Sequence, residues 1–294
     1  MHPVLFSIGS FEIRFYGLMY AISFFIGIEI AKFLAKEKGY DSKIVENYAF
    51  IAMISGLLGG RLYYVFFNWD YYSKYPSEIL ATWHGGMAIH GGIIGGIIGT
   101  FIYGYIKKLN PLILGDFAAA PLLLGQALGR FGNFMNGEIH GVPVFTPWKV
   151  IFSIKPDFYS WYNTYLSMDI FEKLKYKALV PWGIVFPNTS PAGMEFPNIP
   201  LHPAMLYEMI LNFLGFIFIF FYLRKKENKA PGYLWWNYII IYSVIRIFVS
   251  FFRAEDLMLL GMRAPHLVSL ILIVFSIVMI KLGDKKIQKN VTKF

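Results

Sequence analysis

Seven apolar stretches recur along the chain, at about residues 15–34, 46–67, 86–106, 112–135, 203–223, 233–252 and 264–282. Each is near the roughly 20 residues that a helix needs to cross a bilayer. The pattern predicts an all-α polytopic membrane protein with seven transmembrane helices. The connections are short except one. Residues 137–201 hold Pro143, Pro147, Pro156, Pro181, Pro187, Pro191, Pro197 and Pro200 among many aromatics and scattered lysines. That composition predicts an extramembrane insert, partly ordered, with turns at its prolines. The expected organisation is therefore 1–136 (a short lead and helices one to four), 137–201 (the insert) and 202–294 (helices five to seven and a basic tail).

Polar groups interrupt the apolar pattern at a few places. The densest is Gly129-Arg130-Phe131-Gly132-Asn133-Phe134-Met135-Asn136-Gly137-Glu138-Ile139-His140-Gly141, which closes the fourth run. On a helix, Gln126, Arg130 and Asn133 form one polar stripe, with Gly125, Gly129 and Gly132 close to it. An arginine deep in an apolar segment costs about 2.5–3.5 kcal/mol on insertion scales, so something must compensate. Two readings stand: pairing with a carboxylate elsewhere in the bundle, or a polar pocket for an anionic ligand. In the third run, His84-Gly85-Gly86-Met87-Ala88-Ile89-His90-Gly91-Gly92 and the glycines after it suit close helix packing. His90 is left over from that explanation, as either a functional group or a histidine bonded to a neighbouring helix. Glu208 and Asn212 share a face of the fifth run, while Arg246, Ser250 and Arg253 fall at i, i+4 and i+7 in the sixth. Arg61 follows Gly59-Gly60, and Tyr16 opens the first run, where it could serve only as an interface anchor. Arg130, Arg246 and Arg61, set against Glu138 and Glu208, imply a cationic interior that a phospholipid head group could complete.

Charge placement sets an orientation. Lys36, Lys38 and Lys43, Lys107 and Lys108, and Arg224, Lys225, Lys226 and Lys229 occupy alternate connections; Lys281, Lys285, Lys286, Lys289 and Lys293 end the chain. The positive-inside rule then expects a cytoplasmic C-terminus, an outside N-terminus and an insert beyond a bacterial plasma (inner) membrane. Of the 294 residues, 56% are hydrophobic and 15% charged, against about 25% charged in soluble domains. The net charge of +9 lies between apolar segments, which reads as topology signal and affinity for anionic lipid; no nucleic-acid partner is expected. The chain has no cysteine, hence no disulfide and no thiol nucleophile of its own. The N-terminus lacks a basic region and a small-residue cleavage site, so no removable signal peptide is expected. Asp41, Asp70, Asp116, Asp157, Asp169, Asp256 and Asp284 are scattered, which supports no metal site and argues against a metal-dependent CDP-alcohol type of transferase. No paired half-repeat suggests a transporter, and no serine elbow beside His90 suggests a protease.

The stretch Gly129-Arg130-x-Gly132-Asn133-Phe134-x-Asn136-x-Glu138-x-x-Gly141 resembles the signature of the bacterial prolipoprotein diacylglyceryl transferases. So do Phe15-Tyr16-Gly17-Leu18-Met19-Tyr20, Gly85-Gly86-Met87-x-x-His90-Gly91-Gly92, His202-Pro203-x-x-Leu206-Tyr207-Glu208 and Arg246-x-x-x-x-Phe251-Phe252-Arg253. The resemblance covers nearly the whole chain in the family's order. It implies seven transmembrane helices and a periplasmic insert after the fourth, in agreement with the topology read from the residues. It also implies transfer of a diacylglyceryl group from phosphatidylglycerol to the lipobox cysteine of a preprolipoprotein, releasing glycerol phosphate, with no cofactor. By motif, the functional positions are Tyr16, His90, Arg130, Asn133, Glu138 and Arg246, with Asn136 a further substrate-binding candidate. Two departures stand out: Ser250 replaces the usual glutamate four residues after Arg246, and His140 replaces a commoner aromatic. A developing phosphate dianion suits Arg130 and Arg246, and Asn133 could donate to a phosphate oxygen. A thiol needs a base, for which His90 is the candidate, although it could instead hold the head group. Glu138 could orient an arginine or bind head-group hydroxyls. The different-class alternative is a membrane protein that binds or transports the anionic lipid and leaves it unchanged.

Overall fold

The computed structural model describes residues 3–9, 11–155, 158–226, 229–255 and 257–291. Pro156, Asp157, Asp256 and Lys293, named above, lie outside them. In chain order the elements are a hairpin of β1 (Val4–Ile8) and β2 (Phe11–Arg14), α1 (Phe15–Glu37), α2 (Ser42–Phe67), α3 (Trp69–Tyr72), α4 (Ile89–Lys107) and α5 (Pro111–Asn136). The insert then carries α6 (Trp148–Ile151), α7 (Phe158–Ser167), α8 (Ile170–Lys173) and α9 (Pro191–Glu195). After it come α10 (Ala204–Ile217), α11 (Tyr233–Phe252), a hairpin of β3 (Met258–Leu259) and β4 (Met262–Arg263), and α12 (Ala264–Val291). Among the described residues, seven helices are long and apolar enough to cross a membrane: 15–37, 42–67, 89–107, 111–136, 204–225, 233–252 and 264–285. They coincide with the seven apolar runs to within a few residues, and α10 reaches its full span through a π-helical turn over 218–222. Phe25, Phe101, Ile271 and Val274 on these helices are exposed, as residues facing lipid should be.

The chain divides into two compact units, residues 28–118 and the remainder. In the smaller unit the glycines of α2 and α4 form the packing seam that their spacing predicts. A Cβ on Gly59 would sit 2.8 Å from the Gly95 Cα, and one on Gly91 would overlap the Gly59 carbonyl, so the two backbones touch. Asp41 caps α2 by accepting from the Lys43 amide (3.0 Å). Buried Asp116 is met by Lys38 Nζ at 3.3 Å.

Arg61 departs from expectation. Its side chain is fully enclosed, and four of its donations go to backbone carbonyls: Nε to Ile79 (2.8 Å), Nη1 to Gly85 (2.5 Å) and Gly86 (2.9 Å), and Nη2 to Glu78 (2.6 Å). The Tyr72 ring lies 5.2 Å from the guanidinium carbon. The guanidinium satisfies carbonyls that a tight loop would otherwise bury unpaired, so Arg61 builds the 76–88 loop and does not belong to a cationic pocket. Through that loop it also sets the start of α4, where the Ala88 amide donates to the Gly60 carbonyl (3.0 Å).

In the larger unit the insert shares an apolar core with the helices that follow it. Val142, Ile151, Phe158, Phe186, Phe196 and Leu201 form one apolar cluster with Met205 of α10 and with Val249 and Phe252 of α11. The backbone reinforces this joint: the Gly141 amide donates to His202, Val142 to Phe252 and His202 to Val142, each at 2.9 Å. A Cβ on Gly141 would lie 2.5 Å from the His202 carbonyl and 2.7 Å from that of Phe252. Only glycine allows three chain segments to meet there. The β3–β4 turn places Leu260 and Gly261 at positive φ, the pairing that a two-residue hairpin requires. Arg263, also fully buried, turns back to donate Nη1 to the Ser250 carbonyl (2.6 Å) and caps the end of α11. Ser250 itself is completely enclosed.

Candidate active site

The polar stripe of α5 lies in the larger unit and forms a connected chain of hydrogen bonds. Arg130 donates Nη2 to Glu208 Oε1 at 2.7 Å and Nη1 to Asn133 Oδ1 at 3.0 Å. Asn133 Nδ2 and Asn136 Nδ2 each donate to Glu138 Oε1 at 3.1 Å. Glu138 can fold back because α5 ends at Asn136 and Gly137 and Ile139 both take positive φ, while its amide donates to the Asn133 carbonyl (3.2 Å). The Glu208 side chain is 1% exposed, whereas that of Arg130 keeps 20%. A guanidinium has five N–H donors, and these two bonds use two of them.

Arg130 is thus paired with a carboxylate on another helix, the first of the two readings, and its side chain stays partly exposed. Asn133 bridges Arg130 and Glu138. Tyr16 packs on the same stretch, for a Cβ on Gly132 would sit 2.9 Å from its ring, and its hydroxyl shares a hydrogen bond with that of Tyr20 (2.8 Å). Tyr242, one turn before Arg246 on α11, lies near Glu208, Arg130 and Arg246, which places Arg246 in the same part of the larger unit. Tyr242 was not singled out in the sequence, although its i, i+4 spacing to Arg246 was available as a signal.

His90 belongs to the smaller unit. It is exposed in the first turn of α4, with its ring 6.2 Å from that of Tyr63. Among the described residues, no three His, Asp or Glu side chains are grouped so as to hold a metal ion.

The neighbouring insert adds two polar clusters. His140 Nε2 pairs with Glu195 Oε2 at 3.0 Å, and the Tyr159 hydroxyl donates to Glu195 Oε1 at 2.7 Å. The His140 bond, with help from Tyr159, holds the Glu195 carboxyl below its usual range against the opposing effect of burial. Trp182 Nε1 donates to the Tyr207 hydroxyl (2.7 Å), which meets His202 Nδ1 at 3.0 Å. Burial lowers the His202 pKa to about 4, so this ring is neutral near pH 7.

The sequence matches the family model described as prolipoprotein diacylglyceryl transferase over residues 3–282. A protein of Fusobacterium nucleatum named phosphatidylglycerol–prolipoprotein diacylglyceryl transferase is 65% identical over 98% of this chain and 100% of its own length. Proteins of the same name from Staphylococcus haemolyticus and Staphylococcus aureus are 36% and 34% identical. They cover 99% and 95% of this chain, and 91% and 88% of their own lengths. The match extends from the N-terminal hairpin into α12 and includes every motif from which the polar chain is built. The chain belongs to the prolipoprotein diacylglyceryl transferase family.

Proposed function

We propose that the protein transfers a diacylglyceryl group from phosphatidylglycerol to the lipobox cysteine of a preprolipoprotein signal peptide. A carbon–sulfur bond forms at the glyceryl carbon, the carbon–oxygen bond to phosphate breaks, and glycerol phosphate leaves. The observation that carries this reading is Arg130, anchored by a buried carboxylate yet open on one side. The leaving phosphate moves from about one negative charge toward two, and a fixed guanidinium in low dielectric stabilises that change without reorganising. Arg246 adds a second positive charge. Asn133 and Glu138 hold Arg130 in place, and Asn136 and Glu138 face the head-group hydroxyls. Tyr16 packs on Gly132 of the same stretch, and the family motif makes His90 the candidate either to take the thiol proton or to hold the head group. The nucleophile comes from the protein substrate, consistent with a chain that has no cysteine.

Purified protein, phosphatidylglycerol and a lipobox peptide should yield a thioether on the peptide in the presence of EDTA, and none when the peptide cysteine is replaced by serine. Loss of activity on chelation, restored by magnesium, would favour a metal-dependent route.

The alternating basic connections support an outside N-terminus, a cytoplasmic C-terminus and an insert (137–201) on the outer face, between the helix blocks 1–136 and 202–294. Reporter fusions at residue 170 and at the C-terminus should report outside and inside respectively. A cytoplasmic signal from residue 170 would overturn this topology.

A further inference from the structure

One helical turn beyond the Arg130–Glu208 pair lies a second polar layer. Arg130 meets Glu208, and seven residues further along each helix a Cβ on Gly215 would sit 3.3 Å from Leu123. This even antiparallel register sets Gln126 opposite Asn212. The same Gly215 position lies 2.9 Å from Ile241 of α11. Asn212 is 0% exposed. Gln126 Oε1 and both amide atoms of Asn212 are buried without a hydrogen-bond partner. Gln126 Nε2 is occupied by the Tyr238 hydroxyl at 3.0 Å.

Buried polar groups left unpaired are costly and rare. Several of them at one level, directly beyond an anion-binding arginine, mark a place where a ligand brings its own polar atoms. We propose that Asn212 Nδ2 donates to an acyl ester carbonyl of the diacylglyceryl group, making Asn212 a specificity determinant for ester-linked lipid. The proposal rests on the transfer reaction inferred above. With the phosphate at Arg130 and the head group toward Glu138 and Asn136, the next polar atoms of the lipid are its ester carbonyls, which only accept hydrogen bonds. A helical turn of 5.4 Å matches the short glyceryl unit that separates them from the phosphate. Gln126 Oε1 can then take the second N–H of Asn212.

The test uses the full-length protein with diester phosphatidylglycerol or its dialkyl ether analogue, and a lipobox peptide as acceptor. Wild type should prefer the diester about tenfold in kcat/KM, roughly the worth of a buried hydrogen bond. Asn212→Leu should lose that preference by slowing on the diester and holding its rate on the diether, which also shows that the variant is folded. Its lipid-free thermal stability should be unchanged or higher, because an unpaired amide has been replaced by an apolar group. Equal use of both lipids by wild type, or an equal loss on both by the variant, would overturn the proposal. A lower lipid-free stability would do the same, since Asn212 would then have a structural partner. If wild type modifies the peptide with neither lipid, the reaction assignment itself fails.

Discussion

Arg130→Ala should slow diacylglyceryl transfer by at least tenfold, about 1.4 kcal/mol in the transition state. The loss should extend toward the hundredfold range typical of removing a fixed donor from developing negative charge. The deficit should appear mainly in kcat, because the charge that Arg130 meets grows during the reaction and is smaller in the bound lipid. Arg246→Ala should show the same pattern, since Arg246 lies near the same group of charges. Initial rates at several phosphatidylglycerol concentrations separate the two constants. A near-wild-type rate for Arg246→Ala would mean that α11 does not line the reaction site.

The second large effect is expected at Glu208. Its carboxylate is almost fully buried and bonded to Arg130 at 2.7 Å. Removing one partner of such a pair leaves the other charge buried and uncompensated, at a cost of about 3–5 kcal/mol. Glu208→Ala should therefore lower thermal stability clearly and misplace Arg130, with transfer reduced at least as far as in Arg130→Ala. Glu208→Gln keeps one hydrogen bond and should retain more of both properties. If Glu208→Ala unfolds at the wild-type temperature and transfers at the wild-type rate, the anchoring role assigned to Glu208 is wrong.

The seven membrane helices were legible because lipid imposes a single rule on long segments, and each run obeys it. The stripe of Gln126, Arg130 and Asn133 was legible for the same reason: polar residues stand out where every neighbour is apolar. What the sequence could not separate was Arg61 from Arg130. Both follow glycines within apolar runs, and the difference lies in what distant residues bring to them. For Arg61 this is a set of carbonyls from 78–86; for Arg130 it is Glu208 on another helix. Arg263, in a short connection, gave no sign in the sequence that it is buried as the cap of α11. The two short hairpins at 4–14 and 258–263 were missed, because strands this short carry too little alternation to register. The insert's architecture was hidden because it shares its core with the ends of α10 and α11 and so shows no apolar periodicity of its own. The pairing of His140 with Glu195, 55 positions away, carries no local signal.

The most direct test of the account is the stoichiometry between glycerol phosphate released and diacylglyceryl thioether formed on a lipobox peptide, followed by mass measurement of both products. The reaction assigned to the Arg130 site predicts that the two rise together in equal amounts, and that both fall together in Arg130→Ala. Phosphatidylglycerol that binds and is recovered intact beside an unmodified peptide would contradict it, as would glycerol phosphate released without a thioether.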